Sequence, residues 1–179
     1  MDGLAADEYR VLRETIAARG SLRVTLLVAG VAAWAVVLVL VLAWVPNPVA
    51  SAIPLVLLVA TFEAMRGLHA GVERIGRYLQ VFHEPAGPAA APPAWERTAM
   101  AFGPSLPGAG GHPLFVPVLL VATAANYLAV LLPGPLPIEL AALAVPHAAF
   151  VAWMLVADRA ARRQRATELA RFQELKQSK

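Results

Sequence analysis

The sequence predicts an all-α, polytopic integral membrane protein with four transmembrane helices in a compact bundle, the second of them extended into the cytoplasm. Three observations predict it. Of the 179 residues, 59% are apolar and mean hydropathy is +0.62, where an ordinary soluble domain is roughly 45–50% apolar. The excess is gathered into four runs, about 22–45, 49–68, 114–132 and 138–157. Each is close to the ~20 residues that a ~30 Å hydrocarbon layer requires. The third observation is the placement of charge. All fifteen Lys and Arg residues fall in three segments. Arg10, Arg13, Arg19 and Arg23 stand before the first run or at its edge, Arg66, Arg74, Arg77 and Arg97 between the second and third, and Arg159 to Lys179 after the fourth. The connections at 46–51 and 133–137 contain none. Under the positive-inside rule, both termini and the long middle connection are cytoplasmic.

The net charge of +3 belongs mostly to these flanks, where it holds orientation and meets anionic headgroups. No basic stripe is interleaved with aromatics, so no nucleic-acid partner is expected. The absence of cysteine excludes disulfides, thiol catalysis, thiolate zinc sites and iron–sulfur ligation by this chain. Phosphate-loop, GxGxxG, GxSxG and HExxH signatures are also missing, so an enzyme is not expected, nor a cofactor or a bound metal. Minimal outer turns and an Arg-over-Lys, Ala- and Pro-rich composition point to a bacterial inner membrane, with the chain multi-pass, N-in and C-in.

Residues 1–20 carry Tyr9, Leu12 and Ile16 at helical spacing, which predicts a cytoplasmic amphipathic helix at the membrane surface. Gly20 is expected to stop it and Ser21 to cap the first span. That span exceeds the ~7–15 residues of a signal-peptide core, so the Ala50-Ser51-Ala52 step is not read as a cleavage site. After the turn around Asn47, the second helix tolerates Pro54 in its first turn. It stays helical in pattern to about His83, too long to be contained in a bilayer. Residues 85–113, with Pro92-Pro93 and Gly108 to Gly111, read as a flexible cytoplasmic connection, with Trp95, Ala99 and Phe102 a candidate interfacial helix inside it. Glu139 is expected to cap the fourth helix near its N-terminus. Residues 158–179 continue as a basic cytoplasmic helix.

The residues with most chemical character lie on the second helix. On a wheel at ~100° per residue, Glu63, Arg66, His69, Glu73, Arg74, Arg77 and Gln80 fall within about 140° of one another. Opposite charges stand one turn apart, which lowers the cost of charge near the bilayer. This face reads as a solvated flank or as a docking surface for the terminal helices or a partner subunit, carried by Glu63, Arg66, His69, Glu73 and Arg77. A third reading makes Glu63, His69 and Glu73 ligands of a metal or members of a proton relay. Gly67 and Gly71 form a GxxxG step expected to set helix packing. Deeper in the apolar runs lie Thr123, Asn126 and His147. Counting back from the 133–137 turn brings His147 level with Thr123, so a Thr123–His147 hydrogen bond is expected. Pro146 leaves a carbonyl free in the preceding turn.

Together these features predict a non-enzymatic accessory or scaffold subunit that meets a protein partner, or its own copy, through cytoplasmic helix ends. One alternative is a small oligomeric transporter or channel subunit with a path past His147 and Thr123 to Glu63; a second is a membrane metal-binding protein or enzyme using Glu63, His69 and Glu73.

Overall fold

The computed structural model describes residues 3–45, 47–83 and 114–178. All elements among the described residues are helical, and no strand occurs. They are α1 (Gly3–Trp44), a 3-10 turn at Pro48–Ser51, α2 (Ala52–Phe82), α3 (Val116–Ala129) and α4 (Pro137–Gln177). By length and apolar content α1, α2 and α4 could each cross a membrane, whereas α3 has 14 residues. The connection at 85–113 and its Trp95–Phe102 segment lie outside the described residues.

Helix α1 is continuous for 42 residues, which corrects the expectation of a break at Gly20–Ser21. An interior glycine costs only about 1 kcal/mol relative to alanine, too little to end a helix that neighbours hold on both sides. The Ser21 carbonyl accepts a bond from Thr25 Oγ1 (3.2 Å). The N-terminal segment is therefore collinear with the apolar run instead of lying flat beneath it. At its other end Asn47 organises the turn. Its side chain accepts from Val49 N (2.9 Å) and its carbonyl from Ala50 N (3.0 Å).

Helix α2 runs beyond its apolar run to Phe82, as its pattern predicts, with Pro54 buried near its start. Helix α3 is shorter than the 114–132 run. Phe115 enters it at φ 50°, and from Val130 to Gly134 the chain tightens into i→i−3 bonds before Gly134 turns at φ 70°. Glu139 caps α4 as expected, accepting from Leu136 N (2.8 Å).

Helix α2 is the centre of the molecule. Leu55, Leu58, Phe62 and Met65 pack against Leu114, Val116, Leu119 and Ala122 on one side and Phe150, Met154 and Ala157 on the other. The rings of Phe62 and Phe150 meet edge to face at 5.9 Å, a favoured aromatic geometry. Outward-facing residues along the same helices stay apolar: Val28, Val36 and Val39 on α1, Val121 and Leu128 on α3, Val145 on α4. An apolar interior together with an apolar exterior is what a lipid surround requires and water penalises.

Contacts fix helix direction. Gly30 of α1 meets Thr61 of α2, Arg23 meets His69, and Glu8 meets Tyr78, so α1 and α2 are antiparallel. Glu63 meets Trp153 of α4, Arg77 meets Glu168, and Val81 meets Lys176, so α2 and α4 are parallel. The N-terminal part of α1 and the C-terminal parts of α2 and α4 thus lie together at one end. The turns at 45–51 and 130–136 lie at the other.

Candidate functional site

Two polar groups of residues, one towards each end, interrupt the apolar body. The larger is built on residues 63–83 of α2, where the helix has left its apolar run and its charged stripe needs partners. Arg77 is 3% exposed. Its Nη1 donates to Glu168 Oε2 of α4 (2.8 Å) and its Nη2 approaches Glu73 Oε2 (3.5 Å). Arg74 reaches Glu168 Oε1 (3.3 Å), and Arg165 approaches Glu73 at 4.0 Å. Burial pulls the Arg77 guanidinium below its usual value while Glu73 and Glu168 oppose the shift, and it remains charged.

His69 faces α1. Arg23 Nη1 donates to its Nδ1 (2.9 Å). Because a guanidinium only donates, the ring accepts there and carries its proton on Nε2. Burial is the main cause holding His69 below the ordinary histidine value. Arg23, Arg77 and Arg165 act the same way, against Glu73. Nearer the apolar body, Arg66 donates through Nε and Nη2 to Glu63 Oε2 (2.9 and 2.6 Å). Its guanidinium lies 5.5 Å from the Trp153 ring centre, and Trp153 Nε1 donates to Glu63 Oε1.

At the far tip, Tyr78 donates to Glu8 Oε1 (2.9 Å), and His83 Nε2 lies 3.5 Å from Glu8 Oε2. Burial and then the Glu8 carboxylate push the Tyr78 hydroxyl pKa upward. Tyr78, Phe82 and Phe172 form an aromatic cluster that joins α2 to α4. The predicted charged face is therefore largely occupied by the chain's own terminal helices.

Glu63, His69 and Glu73 do not converge. They turn respectively to Arg66 and Trp153, to Arg23, and to Arg77 with Arg165. Among the described residues no group of three His, Asp or Glu side chains is placed to hold a metal ion. Within the chain, the GxxxG step lies against no other helix's backbone. A Cβ at Gly67 would meet nothing within 4 Å, and one at Gly71 would meet only the tip of Arg19. Close helix approach occurs at Gly30, where a Cβ would collide with the Thr61 side chain.

The second polar group lies at the hairpin end and ties all four helices. Asn126 of α3 is fully buried. Its Oδ1 accepts from Trp34 Nε1 of α1 (3.0 Å), and its Nδ2 donates to Ser51 O at the head of α2 (3.0 Å) and to His147 Nε2 of α4 (2.9 Å). His147 Nδ1 donates to Leu143 O (2.7 Å), so a single tautomer satisfies each of these partners. Tyr127 stacks edgewise on His147 at 5.2 Å and donates to Leu140 O (3.2 Å).

Thr123 bonds to its own turn at Leu119 O (2.7 Å), and the expected Thr123–His147 bond is not formed. The level count failed because Cβ atoms tilt toward a helix N-terminus. In this antiparallel pair His147 reaches toward the turn and Asn126 away from it, so the two meet between their backbones. A short threonine in an apolar helix bonds to its i−4 carbonyl instead. Nor does His147 use the carbonyl freed by Pro146, which belongs to Ala142; it bonds to that of Leu143.

Between the two groups the interior is closed by Leu58, Phe62, Met65, Leu119 and Met154, each 0% exposed. A small cleft opens on each side of this plug. One, of about 150 Å³, is lined by Val41, Asn47, Ser51, Ala129 and Pro133, and the other, of about 100 Å³, lies between α2 and α4 beside Arg66, His69 and Glu73.

Sequence reasoning missed Arg19, Arg23, Trp34, Ser51, Trp153, Arg165 and Glu168. A signal existed for Trp34, since a tryptophan within an apolar run needs an acceptor for its N–H and Asn126 was the polar residue at comparable depth. The fold is that of a helical protein with three candidate membrane-crossing helices. No protein-family model, curated protein or solved structure matches the chain.

Proposed function

We propose that the chain is a non-enzymatic accessory or scaffold subunit, embedded in a membrane by four crossings. It presents a rigid three-helix stalk on the cytoplasmic side. The observation that carries this reading is the stalk itself. Helices α1 and α4, with 42 and 41 residues, are about 60 Å long at ~1.5 Å per residue, twice a ~30 Å hydrocarbon layer. Their excess length lies on one side with the end of α2, sutured by Arg77–Glu168, Tyr78–Glu8 and the Phe172 cluster. Such a projection has no use in holding the bundle within lipid.

A fourth crossing by α3 is supported by its two ends. Phe115 lies beneath the Arg23 guanidinium (5.9 Å) at the charged end, and Ala129 borders the same cleft as Asn47 at the hairpin end. The charge alternation supports N-in and C-in, and composition supports a bacterial inner membrane. Since residues 63–77 are engaged by α1 and α4, a partner would meet the outward side of the stalk, where Arg159, Arg162 and Arg163 are exposed. The closed plug and the satisfied His147 count against a transport path.

The test is extraction into native-lipid discs, with mass spectrometry of what is retained at stoichiometric level. The account predicts a protein partner lost in Arg159→Glu/Arg163→Glu and kept in Asn126→Leu. A partner-free particle that conducts ions in liposomes, and stops doing so on His147→Ala, would replace this reading with the transporter one.

A further inference from the structure

The cleft of about 100 Å³ between α2 and α4 is lined by Arg66, His69, Glu73, Arg77, Trp153 and Gln164 among others, and its surroundings carry more positive charge than they can pair. Around it four guanidinium groups, Arg66, Arg74, Arg77 and Arg165, share three carboxylates, Glu63, Glu73 and Glu168. Arg77, which lines the cleft, is 3% exposed, and its Nε is a buried donor without an acceptor. A buried N–H without a partner is costly, and more so on a charged group. The imbalance calls for an anion.

We propose that this cleft binds a phosphate group, carried by a phospholipid headgroup or present as free phosphate. Guanidinium is the side chain best matched to phosphate oxygens, which it grips as a planar fork. A tetrahedral phosphate can accept from several directions at once, as donors arriving from both α2 and α4 require. The cleft, of about 100 Å³, has room for a phosphate group. Val156 and the half-exposed Trp153 form an apolar side to the cleft, against which an acyl chain can lie while the headgroup turns inward.

The experiment uses the full chain, delipidated in detergent. Its Tm is followed against a short-chain phosphatidylglycerol in one series and inorganic phosphate in another. Two variants accompany the wild type. Ala160→Leu fills the cleft and keeps every charge, while Arg66→Gln removes one guanidinium that is already half exposed. Wild type should show a saturable rise in Tm. Ala160→Leu should lose the response while keeping wild-type helicity, and Arg66→Gln should need about tenfold more ligand, as for loss of one charged hydrogen-bonding group. A response to the lipid alone makes the headgroup the source, and a response to phosphate alone makes it the free ion. No shift with either probe, or an unaltered response in both variants, overturns the proposal. If Ala160→Leu does not fold, Arg66→Gln alone decides.

Discussion

Replacing Asn126 by leucine keeps the side chain's branched outline and removes every bond that Trp34, Ser51 and His147 make to it. Interhelical hydrogen bonds in membranes average about 0.6 kcal/mol, but the buried Ser51 and His147 and the half-buried Trp34 are stranded together here. The expected loss is therefore larger, about 2 kcal/mol, read as a lower midpoint in detergent-denaturation melts. Thr123→Val, which removes a bond only to the residue's own helix, should cost less than half as much. A second residue with a defined consequence is His69. Its pKa is held below the ordinary 6.5, so the unfolded chain binds its proton more readily than the folded one. Stability is then complete above pH 6.5 and declines as pH falls toward the folded-state value. The groups facing it are Arg23 on α1, Glu73 and Arg77 on α2 and Arg165 on α4. The Tm of wild type should fall between pH 7.5 and 5, and His69→Gln should flatten that slope. An equal slope in both would remove His69 as its cause.

Among the elements, α1 and α2 are held closest at Gly30, where any Cβ would collide with the β-branched Thr61. Gly30→Val should overpack this contact at a cost of about 1–3 kcal/mol, partly recovered by adding Thr61→Ala. Gly67→Ala should be neutral or gain up to about 1 kcal/mol from helix propensity. Thermal melts of the three variants decide it, and equal losses at Gly30 and Gly67 would contradict this packing. The contrast also shows what sequence can convey. The all-helical fold, the extension of α2 past its run and the cap at Glu139 were legible because each is a local pattern of hydropathy, charge or capping chemistry. Which of two glycines meets a neighbour depends on the rotation of one helix against another, and nothing in the local pattern encodes it. The same limit hid Trp34–Asn126 and Arg77–Glu168, pairs about ninety positions apart. Thr123 was preferred to Asn126 because a count of levels omits side-chain tilt. Gly20 was given too much weight as a helix stop, since neighbours on α2 hold α1 on both sides of it.

For the whole molecule, the account requires an apolar bundle with two short turns at one end and all the ion-paired helix ends at the other. Charge placement along the chain already contained this polarity, and the antiparallel α1–α2 and parallel α2–α4 contacts are consistent with it. Helices α1, α2 and α4, with 42, 31 and 41 residues, are each longer than the ~20 residues a bilayer needs. The most direct measurement is the side of the membrane on which each end lies. The chain has no cysteine, so single cysteines can be placed at Asn47, Pro135, Gly87 and Gln177 and treated in intact cells with a membrane-impermeant thiol reagent. Labelling at Asn47 and Pro135, with Gly87 and Gln177 reacting only after the cells are opened, is the predicted result. Labelling of Gly87 or Gln177 in intact cells, or protection of Pro135, would contradict it.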